Sequence, residues 1–226
     1  MTRIYILLSL LLTAATLLAT LIVYPQLPES VPIHWNIRGE VDGHGGKVWT
    51  LLTPALMVGF LLLFWVLPRL SPKHFEVDSF RSTYWFIALV LTGYFAYLHG
   101  LLTWAAWQGK VDITRAILAG MLVMFSLLGN VLGKVRRNFY VGIKTPWTLA
   151  SERVWNDTHR LAGKTFVGAA ILGLLAVVLP VPLPAVIIAV VVSMIIGSVI
   201  PAAYSLWLYK RLEKRGELDG NEKAMG

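Results

Sequence analysis

The chain alternates long apolar runs with short polar segments. Runs at roughly residues 4–24, 50–67, 82–107 and 116–133 are each long enough for an α-helix to cross a bilayer, which takes about 20 residues. No charged residue falls between 165 and 209, and that run is too long for one span. Pro180, Pro182 and Pro184 divide it, because proline removes a backbone donor and ends helices. The pattern predicts a helical hairpin there, with a short fifth span and a long sixth span kinked near Pro201. The expected fold is therefore an all-α polytopic integral membrane protein with six transmembrane helices. Residues 1–70 would carry two of them around a structured loop at 25–49. Residues 71–226 would carry four more around a polar loop at 134–164, ending in a short tail. The first run is too long for a signal-peptide core, and no small-residue cleavage site follows it.

Composition agrees with this pattern. The chain is 57% hydrophobic and 14% charged, against about 25% charge in soluble domains. It has no cysteine, which excludes disulfides, thiolate metal sites and cysteine nucleophiles. The net charge of +8 does not predict direct nucleic-acid binding, because the cations cluster beside the apolar runs. Of the 20 Lys and Arg residues, only Arg38, Lys47, Lys110 and Arg115 fall on one side of the predicted bundle. The rest, including Arg3, Lys73, Lys134 and Lys223, fall on the other. The positive-inside rule then places both termini and the 134–164 loop in the cytoplasm. Only an even number of spans gives this partition. Lys210, Arg211, Lys214 and Arg215 follow the last span, where they meet the anionic headgroups of the lipid bilayer. Two small-residue pairs, Gly129 with Gly133 and Ala169 with Gly173, would let helices approach closely.

The densest polar chemistry lies in the 134–164 loop. Lys144, Thr145, Pro146 and Trp147 run into Thr148 and Ser151, either of which could cap a short helix ending near Gly163. Glu152, Trp155, Asn156 and His159 would share one face of that helix. Such a stripe forms either a hydrogen-bonded lock or a site for a ligand or partner. Glu152 and His159 could also exchange protons, but no nucleophile, metal motif or phosphate-binding loop accompanies them.

The first loop is also built rather than slack. Its prolines impose an extended entry and its glycines supply turns. His34, Asn36, Gly39, Asp42, Gly43 and Lys47 mark it as a docking surface for an external molecule. His34, His44, Glu40 and Asp42 match no dedicated metal spacing, and neither metal nor cofactor is expected. His99 is the only strongly polar titratable side chain inside a predicted span. It marks either a functional site or the outer end of its helix.

Asn138-Phe139, the run from Gly142 to Leu149, Ser151-Glu152, Val154-Trp155 and Thr158-His159 resemble the signature of the SdpI family. Pro32, His34, Asn36, Gly39, Asp42 and Gly43, with Lys47 after them, resemble the same family's N-terminal module. The resemblance covers roughly residues 5–210. It implies a bacterial multi-pass protein of the cytoplasmic membrane that gives immunity to a secreted, membrane-damaging toxin peptide. It also implies a second possible partner, a cytoplasmic transcriptional repressor held at the membrane, and it implies no enzymatic activity. A small transporter is the alternative. Against it, no Asp, Glu, Lys or Arg lies inside a predicted span, where coupled transport usually needs one.

Overall fold

The computed structural model describes residues 1–72, 77–109 and 112–218. Lys73, Lys110 and Lys223 of the charge partition lie outside the described residues. Helix α1 (Thr2–Val23) leads to a β-hairpin of β1 (Ser30–Trp35) and β2 (Val41–Gly46). Helices α2 (Leu52–Val66), α3 (Arg81–Gln108) and α4 (Thr114–Leu132) follow. A short α5 (Pro146–Ala150) then precedes the long α6 (Glu152–Val178) and α7 (Leu183–Arg215). Among the described residues, six helical spans are long and apolar enough to cross a membrane. This is a multi-pass membrane protein, and the hairpin is a small β addition to its helical plan.

The bundle is ordered inversely to a soluble core. On α1 the leucines Leu7, Leu10, Leu11, Leu18 and Leu21 are exposed, while Ser9, Thr13, Thr16 and Thr20 are buried. In lipid, apolar side chains gain nothing by hiding, so small residues take the helix contacts. Each of these hydroxyls donates to the carbonyl four residues back, at 2.7–2.9 Å. Their polarity is thus satisfied within the helix. Helices α1 and α2 pack on α3, and α6 packs between α4 and α7. Bare α-carbons set the closest approaches: a β-carbon on Gly163 would stand 2.8 Å from the Gly129 carbonyl oxygen. One on Gly173 would stand 2.7 Å from the Leu122 side chain. Across α6 and α7, the Thr165 hydroxyl donates to the Gly197 carbonyl at 2.8 Å.

One expectation needs correction. The helix expected to stop near Gly163 continues to Val178, so the fifth span is not short. No proline interrupts it, and Gly163, which would weaken an isolated helix, is held by its contact with Gly129. Helix α7 carries Pro201 inside its span.

The two ends of the bundle differ. Tyr5 and Ile6 of α1 pack with Val135, Tyr140, Leu149 and Trp155. Val154 packs with Leu208 and Leu212 of α7. The start of α1, the segment between α4 and α6, and the end of α7 therefore share one end. The hairpin occupies the other: Gly39 lies against the Asp112 carboxylate, and Val31 packs with Leu27 and Ala106. At that end Arg115 donates to the carbonyls of Val177 at 2.7 Å and Leu179 at 3.4 Å, and to that of Val181, tying α4 to the turn before α7.

Candidate functional site

The segment after α4 folds around Asn138, which is fully buried. Its Oδ1 accepts the N–H groups of Tyr140 and Val141, both at 2.7 Å. Its Nδ2 donates to the carbonyls of Arg136 (2.7 Å) and Val141 (3.0 Å). One side chain thus satisfies four backbone groups that a buried turn would otherwise leave unpaired. Lys144 Nζ closes the turn from outside, donating to the carbonyls of Phe139 (3.0 Å) and Tyr140 (3.3 Å).

Thr145 caps α5. Its Oγ1 accepts from Thr148 N at 3.2 Å while Thr148 Oγ1 accepts from Thr145 N at 2.9 Å, a reciprocal capping box with Pro146 at the first helical position. Ser205 already donates to the Ala202 carbonyl at 2.6 Å. Its oxygen lies 3.0 Å from Thr145 Oγ1, a hydroxyl–hydroxyl contact that pins the segment to α7. Trp147 packs against the cluster of Val154, Leu208 and Leu212. Ser151 then caps α6 through Val154 N.

On α6 the buried face comprises Val154, Trp155, Thr158, His159 and Ala162. Trp155 and His159 stack with ring centroids 4.1 Å apart. Trp155 Nε1 donates to the Val135 carbonyl at 2.8 Å. His159 Nε2 receives the Ile143 N–H at 2.9 Å, so that nitrogen bears no proton. The proton sits on Nδ1, which donates to the Trp155 carbonyl at 2.8 Å. Both ring nitrogens are thereby consumed, and the imidazole joins the segment to the helix. The expected stripe is only half assembled: Glu152 is exposed and Asn156 half-buried, while Trp155 and His159 are sealed. The inward face begins at Ser151 and Val154, one position away from Glu152.

At the opposite end, the expected first-loop residues brace the hairpin. Asn36 Oδ1 accepts from Arg38 N (2.8 Å) and Glu40 N (3.1 Å), and its Nδ2 donates to Glu40 Oε2 (2.9 Å). Gly39 follows with φ +81°, the left-handed turn position that glycine adopts without strain. His34 Nδ1 and Asp42 Oδ1 lie 2.5 Å apart across the strands. Gly43 faces His34 so closely that a β-carbon would stand 2.8 Å from His34 Cβ. Lys47 Nζ donates to Glu29 Oε1 at 2.8 Å and lies 5.3 Å from the centre of the Tyr24 ring. Among the described residues, no three His, Asp or Glu converge as metal ligands. The bracing leaves Ile33, Ile37, Val48 and Trp49 exposed on the hairpin and its exit.

Both polar modules coincide with regions shared with other proteins. The SdpI/YfhL protein family matches residues 134–205, and a domain of unknown function (DUF1648) matches residues 11–58. Over residues 134–205 the chain is similar to the SdpI/YfhL family. Its curated relative, the Immunity protein SdpI of Bacillus subtilis (strain 168), is 25% identical over 171 residues, which is 76% of this chain and 79% of the relative. No solved structure matches the chain. The 134–205 match takes in the Asn138 turn, the capped α5, the whole of α6 and much of α7. Asn138 enters the resemblance only as one residue of the signature, yet its side chain bonds four backbone groups.

Proposed function

We propose that this protein protects a bacterium against a secreted, membrane-active peptide. The observation that carries this reading is the similarity to an immunity protein over 76% of the chain. The protein would sit in the cytoplasmic membrane with both termini and the 134–151 segment inside, as the lysine and arginine partition requires. The hairpin then faces outward, where the peptide arrives. Its braced strands present Ile33 and Ile37 to the surroundings, a surface suited to an apolar peptide. No chemistry is needed: both nitrogens of His159 are bound to the protein's own backbone. The Asn138 turn and the capped helices hold the inner end, where exposed Arg136 and Lys144 would meet a cytoplasmic repressor.

The test is protection. The protein, expressed in a sensitive bacterium, should raise survival against the peptide encoded beside its own gene. Unchanged killing at normal membrane levels overturns the reading. Solute flux in proteoliposomes would then put a transporter in its place.

A further inference from the structure

His99 of α3 is 5% exposed, and among the described residues its Nδ1 has no hydrogen-bond partner while its Nε2 has two. Its Nε2 lies 2.9 Å from Thr20 Oγ1 of α1 and 3.3 Å from Thr103 Oγ1. The single proton of the Thr20 hydroxyl goes to the Thr16 carbonyl at 2.7 Å. Thr20 Oγ1 must therefore accept from the ring. This puts the imidazole proton on Nε2 and leaves Nδ1 a bare acceptor. His159 sends its Nδ1 to a carbonyl of its own helix, but His99 Nδ1 has no such partner. Among the described residues, the unpaired side-chain atoms sealed from any opening are Thr114 Oγ1 and Thr158 Oγ1. His99 Nδ1 is neither bonded nor sealed.

His99 lines a cavity of about 290 Å³ between the hairpin, the entry to α2 and α3. Val31, Pro32, Trp49 and Leu102 give it apolar walls, and Thr53 and Thr103 line it as well. Thr53 is only 8% exposed. An acceptor without a donor beside apolar walls favours an occupant that supplies one. The volume falls at the lower end of ligand pockets, which suits a compact group. Trp49, 54% exposed, offers a ring face at the rim for aromatic stacking. The cavity opens at the hairpin end of the bundle, the water–lipid boundary where Trp and Tyr side chains concentrate.

We propose that this cavity binds a compact aromatic group carrying one hydrogen-bond donor, of the indole or phenol kind, with the donor on His99 Nδ1. Such a group comes either as a free small molecule or as the side chain of a membrane-bound peptide. Only the second source rests on the immunity reading.

The test uses the purified full-length protein in detergent and two fluorine NMR probes, 5-fluoroindole and 1-methyl-5-fluoroindole. The second keeps the apolar body and loses the donor. Binding above the micelle-only control should saturate, and 5-fluoroindole should bind at least about fivefold tighter, as one hydrogen bond predicts. That preference should vanish in His99→Phe. Leu102→Trp, which fills the cavity and leaves the His99–Thr20 contact alone, should abolish binding of both probes. An amphipathic peptide bearing one 5-fluorotryptophan distinguishes the sources. A shifted signal that Leu102→Trp removes assigns the peptide side chain, whereas binding of free fluoroindole alone assigns the small molecule. Absence of saturable binding, equal binding of the two probes to the wild-type protein, or a preference that survives in His99→Phe overturns the proposal. None of these readouts involves killing, so failure here is separable from failure of the immunity reading.

Discussion

His159 presses on Gly142: a β-carbon at Gly142 would stand 2.3 Å from the imidazole Nε2. Gly142 also has φ +120°, a region closed to other residues. The contact lets the next peptide unit deliver the Ile143 N–H to that same nitrogen, at 2.9 Å. The 134–151 segment thus docks onto α6 through one glycine and one histidine.

Gly142→Ala should therefore cost more than about 2 kcal/mol, since strained backbone alone costs about 1–3 kcal/mol. It should be read as a lowered thermal midpoint in detergent. Removing the imidazole relieves the clash, so in a His159→Ala background the same substitution should cost measurably less. Strictly additive losses in the double variant would refute the docking.

The buried face of α6 ranks its own residues. Trp155→Ala should destabilise by about 3–5 kcal/mol, the usual range for a buried aromatic. His159→Ala should cost about 1–3 kcal/mol by leaving the Ile143 N–H without an acceptor. Glu152→Ala should change little, because the carboxylate is exposed at the helix start. A Glu152 variant as damaged as Trp155→Ala would contradict this ranking.

The spans were legible because lipid demands long apolar runs, and nothing else in the chain resembles them. The hairpin was legible only as built structure: glycines and prolines announce turns, while pairing of His34 with Gly43 depends on a register with irregular steps. Helix α6 was misjudged at Gly163 because its neighbour, Gly129, is distant in sequence and invisible to local propensity. The stripe was half right for a related reason. Spacing gives which residues share a face, but the docking of Val135 and Ile143 decides which face turns inward. The His99 cavity needed the hairpin, α2 and α3 assembled before its unused nitrogen had any meaning.

Asn138 should be the most sensitive polar residue of the segment. Asn138→Ala unpairs four backbone partners and should open the turn, read as faster tryptic cleavage at Arg136 and Lys144. Asn138→Asp keeps the two accepted bonds but sets a carboxylate oxygen against the carbonyls of Arg136 and Val141. It should be cleaved faster than wild type as well. Cleavage of both variants at the wild-type rate would show that the hub is dispensable.

The orientation can be read directly, because the chain has no native cysteine. Ile37→Cys, at the hairpin tip and 54% exposed in the parent residue, should react with a membrane-impermeant maleimide added to intact cells. Arg136→Cys, at the opposite end, should react only after the cells are opened. The reverse pattern would invert the topology and remove the hairpin from the path of an external peptide.

The hairpin should matter to protection in two separable ways. Gly43→Val drives a side chain into His34 Cβ, now 2.8 Å from the β-carbon position, and should break the strand pairing that holds the loop. Replacing Ile33 and Ile37 together with serine leaves that pairing intact and removes only exposed apolar surface. Neither change touches a span, and spans carry the insertion signal, so both variants should reach the membrane at the wild-type level. Both should lose protection against the peptide, the first because the surface is no longer built and the second because it is no longer apolar. Loss with Gly43→Val alone would assign the hairpin a bracing role, with the peptide meeting another face. Full protection by both variants at normal membrane levels would take the hairpin out of peptide recognition altogether.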